Sequence, residues 1–145
     1  MIDEGAVLSV LVIDDDDAIV RLLTLTLTRA GLRVSVAANG NDGLSQLKAG
    51  PFDVVVTGIR MPELDGNRLA DVVRRTLVPQ PVLIGMSGTP RRACSGLFDI
   101  VISKPFSIHT LLSTILRLTG NRLHQCQSTT ESEKDMPAAH QLSFG

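Results

Sequence analysis

Apolar residues along the chain recur in two alternating rhythms. Val7 to Ile13, "VLSVLVI", is a continuous apolar run of strand length broken only by Ser9, the pattern of a strand covered on both faces. The run stops at Asp14. Asp16 or Asp17 then caps a helix whose positions Ile19, Leu22, Leu23, Thr26, Leu27 and Ala30 fall at helical spacing, with Gly31 as its C′ residue. Thr24, Thr26 and Thr28 alternate as in a strand, but the length of the segment and its caps favour helix. "LRVSVAA", Leu32 to Ala38, reads as a second strand, and "NGNDGLSQLKAG" as a short, glycine-weakened helix closed by Gly50-Pro51. "FDVVVT", Phe52 to Thr57, is a third apolar strand, and Pro62 and Gly66 hold the loop behind it. Asn67 to Thr76 is a helix turning Leu69, Val72 and Val73 inward. "QPVLIGMS" and "FDIVIS" are the fourth and fifth strands. A last helix begins near Ser107 with Ile108, Leu111, Leu112, Ile115 and Leu116 on one stripe.

Strands that alternate with helices throughout imply parallel pairing, right-handed crossovers and a three-layer α/β/α sandwich. The pattern holds over residues 1–120, read as one domain without internal repeats. From Asn121 to Gly145 the chain turns polar and aperiodic, the signature of a disordered tail. With 145 residues, 43% hydrophobic and 20% charged, the sequence is that of a globular domain with a real core. A formal net charge of -1 gives no field for nucleic acid or membrane, and 3% aromatics give no base-stacking platform. Cys94 and Cys126 make no disulfide framework. With no basic, apolar leader at the N-terminus, they read as reduced thiols of a cytoplasmic protein.

The candidate chemistry stands at the strand ends. Asp14 and Asp15 follow the first strand, Gly58-Ile59-Arg60-Met61-Pro62 the third, Ser87-Gly88 the fourth and Lys104-Pro105 the fifth. In open parallel sheets the site lies at the carboxyl ends of the strands, so an acidic pair, a hydroxyl and a lysine converge there. Carboxylates of this kind hold Mg²⁺, while a lysine and a hydroxyl hold phosphoryl oxygens. Asp16 and Asp17 are read instead as loop and cap, Asp65-Gly66 as turn and cap chemistry, and Arg74-Arg75 and Arg91-Arg92 as solvated faces. His124 and Cys126 offer too few ligands for a metal site.

In that order, DD, x-x-MP-x-x-DG, S-G and KPF, the chain resembles a receiver domain of a two-component response regulator over about residues 7 to 119. The resemblance implies a five-stranded, doubly wound, flavodoxin-like receiver fold and an aspartate phosphorylated by a histidine kinase with Mg²⁺. Carried onto this sequence, it makes Asp14, Asp15 and the Arg60 carbonyl the metal ligands, with Asp15 the more direct. It makes Ser87 and Lys104 the phosphoryl contacts, and Pro105 the residue whose cis bond would aim Lys104. Gly58 falls at the phosphoacceptor position.

Three departures follow. Gly58 can form no acyl phosphate, and Thr57 points to the other side of the strand because side chains alternate. Val101 stands where the resemblance calls for an aromatic. The interval from Ser87 to Lys104 is short, so the helix between them is expected to be small or irregular. The chain is therefore read as a receiver-like module that is not an enzyme and acts through protein partners, a histidine kinase or other signalling proteins, with Mg²⁺ weak or absent. The alternative is an active phosphorelay component using a displaced acceptor, Ser87 or Asp15. No effector domain is expected after Gly120, hence no direct contact with nucleic acid. A phosphatase of the D-x-D-x-T type and a P-loop or G-x-G-x-x-G nucleotide site are excluded by the absence of their motifs.

Overall fold

Five of the apolar runs pair as parallel strands, β1 (Ser9–Ile13), β2 (Arg33–Ala37), β3 (Val54–Gly58), β4 (Val82–Ser87) and β5 (Ile100–Ser103), in the order β2-β1-β3-β4-β5. The structure is a computed structural model in which residues 7–88 and 96–123 are described. The helices are α1 (Asp17–Arg29), α2 (Gly40–Ala49), α3 (Gly66–Thr76) and α4 (Ile108–Leu123). Residues 1–104 form one unit holding the sheet and α1 to α3, and α4 lies in a second unit, 105–145. The expected doubly wound, five-stranded parallel sheet is present, and strand order reverses between β1 and β3.

Burial follows the sequence rhythm. All of β3 and β4 is buried, as are the last four residues of β1, because these inner strands are covered on both faces. The outer strand β2 keeps Arg33 and Val36 exposed. Leu11, Ile13, Val55 and Leu83 of the sheet pack with Leu47, Met61, Leu69, Ala70 and Val73 into one core. The α1 caps are those anticipated. Asp16 accepts from Ala18 N and Ile19 N, and Gly31 takes φ +96°, with Leu32 N donating to Leu27 O and Gly31 N to Thr28 O. Ser107 Oγ accepts from Thr110 N at the start of α4, which runs on through 121–123, into the segment read as tail. Residues 124–145 lie outside the described residues, as does 89–95, where the irregular helix, Arg91, Arg92 and Cys94 were placed.

Two expectations are corrected. The bond before Pro105 is not cis; among the described residues the cis bond is Val78–Pro79. β5 already delivers Lys104 in register, since Ser103 pairs with Ser87 and Lys104 N donates to Ser87 O at 2.8 Å. Nor is Arg74 part of a solvated face. Its Nε donates to Leu97 O (2.9 Å), its Nη1 to Gln80 Oε1 (2.7 Å), and its Nη2 reaches Asp99 Oδ2 (3.3 Å). Asp99 in turn accepts from Leu83 N at 2.7 Å, so this cluster pins the lead-in to β5 against β4. Adjacent helical residues do not share a face, and Arg75 keeps the solvated role, pairing with Asp71 one turn back.

Candidate functional site

The carboxyl ends of β1, β3, β4 and β5 carry the site. Ile13 lies opposite Thr57, so the next residues, Asp14 and Gly58, are neighbours across the switch in strand order. Asp14 extends the β1–β2 ladder, its amide donating to Ala37 O at 3.2 Å. That anchors its backbone and turns its side chain inward, where only 2% of the residue remains exposed. Oδ1 accepts the Asp16 amide at 3.0 Å, and Oδ2 pairs with Lys104 Nζ at 3.2 Å. The lysine side chain is itself 30% exposed. Asp15, Asp16 and Asp17 face solvent.

Gly58 closes β3 opposite Met86, and Ile59 N continues the ladder to Met86 O. A Cβ placed on Gly58 would lie 2.8 Å from Asp14 Oδ2 and 3.2 Å from its Cγ. The Asp14 carboxylate therefore sits in the room that a side chain at 58 would need. Thr57 is buried, and its hydroxyl donates to the Gly58 carbonyl at 2.8 Å. Ser87 is buried at the end of β4 and its carbonyl holds the Lys104 amide.

The loop after β3 is tied down at both ends. Gly66 N donates to Ile59 O at 2.8 Å, and Asp65 caps α3 by accepting from Arg68 N at 2.9 Å. Glu63 takes a left-handed φ of 65° and accepts from Asn41 Nδ2 at 3.2 Å. Met61 is buried, whereas Arg60 stands exposed.

Burial pushes the Asp14 carboxyl above its ordinary value of 3.8, against the opposing pull of the Asp16 amide and the Lys104 charge; a hydrogen bond with Asp15 pushes it up further. A divalent cation at this edge would draw on the carboxylates of Asp14 and Asp15. Both Asp14 oxygens are engaged, one by an amide and one by an ammonium, while Asp15 is exposed and hydrogen-bonds with Asp14. Among the described residues no three metal-ligating side chains cluster. Mg²⁺ is usually held by one or two carboxylates alongside its waters, so a cation would have to compete with Lys104 for Asp14.

The structure thus brings Asp14, Gly58, Ser87 and Lys104 to one sheet edge and leaves Asp15 and Arg60 exposed at its rim. Of the two adjacent acids, Asp14 is the one whose carboxylate pairs with the lysine. The continuing ladder from Asp14 to Ala37 decides it, and that ladder depends on β2 pairing, which no local pattern discloses.

The family model for the response regulator receiver domain matches residues 10–116. The transcriptional regulatory protein AfsQ1 of Streptomyces coelicolor is 46% identical over 68 residues, covering 47% of this chain and 30% of its own length. The DNA-binding transcriptional regulator NtrC of Proteus hauseri is 32% identical over 124 residues, covering 82% of this chain and 26% of its own length. The chain thus spans less than a third of either relative. Among solved structures, a Francisella response regulator receiver domain matches at TM-score 0.72 and 28% identity, covering 79% of this chain and 98% of its own. The Thermotoga maritima response regulator TrrA, solved in complex with Mg²⁺ and beryllofluoride, matches at TM-score 0.70 and 25% identity, covering 76% and 97%. No described helix is long and apolar enough to cross a membrane.

Proposed function

The chain belongs to the response regulator receiver family, and on that premise we propose that it is a receiver-like signalling module whose phosphoacceptor position is held by Gly58. It takes no phosphoryl group at that position and acts by docking to protein partners, a histidine kinase or other signalling proteins of the two-component kind. The observation that carries this reading is the pairing of Asp14 with Lys104 over Gly58, at 3.2 Å, with no side chain at 58 between them. An acyl phosphate requires a carboxylate oxygen as nucleophile, and glycine has none. Mg²⁺ binding is weak, because the lysine already neutralises the buried acid and one expected ligand is missing.

A displaced acceptor has no geometric support of comparable strength. Ser87 is 4% exposed at the end of β4, and Asp15 stands exposed at the rim of the site. In-line transfer depends on placement within a fraction of an ångström to an ångström of the productive position. Intact mass measured after incubation with acetyl phosphate and Mg²⁺ tests the reading. The native chain is expected to gain no phosphoryl group. Gly58→Asp is expected to gain one, since the new side chain supplies the acceptor and evicts the Asp14 carboxylate. A phosphoryl group on the native chain, mapped by peptide to Ser87 or Asp15, would replace this reading with the phosphorelay alternative.

A further inference from the structure

We infer that Gly58 is a working part of the site: its missing side chain gives the Asp14 carboxylate a seat, from which Asp14 holds Lys104 in a built-in latch. The three nearest neighbours of a Cβ at Gly58 are all Asp14 atoms, Oδ2 at 2.8 Å, Cγ at 3.2 Å and Oδ1 at 3.5 Å. Among the described residues, its two chain neighbours aside, nothing else competes as closely for that space. Real Cβ atoms essentially never approach so near, so any side chain at 58 would require the Asp14 carboxylate to shift from this seat. Backbone strain does not explain the glycine, for Gly58 does not take the left-handed φ seen at Gly31 and Gly96.

The seated carboxylate does two things at once. Oδ1 closes the turn into α1 through the Asp16 amide, and Oδ2 holds Nζ of Lys104, whose backbone is fixed to Ser87. β3 and β4 lie between β1 and β5 in the sheet, so this one ion pair ties the end of β1 to the end of β5 across both. An ammonium tied in this way has its charge balanced and one of its donors engaged, which weakens its pull on an incoming anion. The domain is held in one state by its own residues, without phosphodonor or metal. The last consequence rests on the reading proposed above; the steric seat itself does not.

A thermal double-mutant cycle tests the latch without any phosphoryl chemistry. Alanine in place of a strand glycine normally stabilises by removing backbone freedom. Here Gly58→Ala is expected to lower the melting temperature, because the added methyl must drive Asp14 off Lys104. In an Asp14→Ala background the same substitution is expected to raise the melting temperature or leave it unchanged. In a Lys104→Ala background, where Asp14 is free to swing away, its penalty shrinks. Folding of the double variant when Gly58→Ala alone does not fold counts equally for the latch. The same shift in all three backgrounds, or loss of folding in all three, overturns it. The mass measurement stands or falls separately, so failure of the latch and failure of the receiver reading are told apart.

Discussion

Gly66→Ala is expected to cost about 3 kcal/mol of folding stability, the upper part of the range for overpacking a closed site. A Cβ there would collide with the Gly58 carbonyl oxygen and lie 2.8 Å from Ile59 Cα. Both are backbone atoms at the buried end of β3 and cannot rotate aside as a side-chain tip can. Relief requires α3 to back away, which breaks the bond from Gly66 N to Ile59 O and shifts the Asp65 cap. The loop carrying Arg60 and Met61 moves with it. At a urea slope of about 2 kcal/mol/M, the denaturation midpoint should fall by about 1.5 M. Gly50→Ala is the matched control, since its Cβ meets nothing within 4 Å, and its midpoint should hold or rise slightly. Equal midpoints for the two variants would show that the close approach of α3 to β3 is not a constraint.

Lys104→Met is expected to lower stability at neutral pH by about 2 kcal/mol, below the roughly 3–5 kcal/mol of a fully buried pair because the lysine is partly exposed. The loss depends on pH through Asp14. Its folded pKa lies above 3.8, with burial as the leading cause. Native protein therefore binds protons more tightly than unfolded protein at this group, and the stability it confers in the neutral form is present below 3.8. That stability is lost as pH rises through the folded value. Removing the Lys104 charge raises the folded value further, so the variant loses more over the same rise. The gap between native and variant should accordingly be small near pH 3.8 or below and widest at neutral pH. Denaturation curves across that span check it, and a gap that stays constant with pH would mean that Lys104 does not act through the Asp14 charge.

Much of this was legible in the sequence. Val10 to Ile13, Val54 to Val56 and Val82 to Ile84 announce buried parallel strands because both faces of each strand are covered. Asp16 and Gly31 announce the ends of α1 because capping is local chemistry. The convergence of Asp14, Ser87 and Lys104 followed from placing each just after a strand of one parallel sheet. What stayed hidden depends on contacts distant along the chain. Arg74 and Arg75 look alike in sequence, and only the position of Leu97 and Asp99 separates the half-buried anchor from the solvated residue. Gly66 reads as a cap residue, whereas its constraint comes from the Gly58 carbonyl. That residue 58 is a glycine was plain, but not that the Asp14 carboxylate lies in the space beside it. A side-chain rotamer in a shared cavity has no one-dimensional signature.

The central claim is that the site is closed by its own residues. It is tested most directly by titrating the native chain with Mg²⁺ and beryllofluoride while following the backbone amide resonances of Asp14, Gly58 and Lys104. The TrrA receiver, which was solved in complex with these species, serves as the positive control. At concentrations that saturate TrrA, the native chain is predicted to show no saturable shift at the three amides. A saturable shift centred on them would mean that Asp14 and Lys104 part readily for an outside ligand, and would contradict the account.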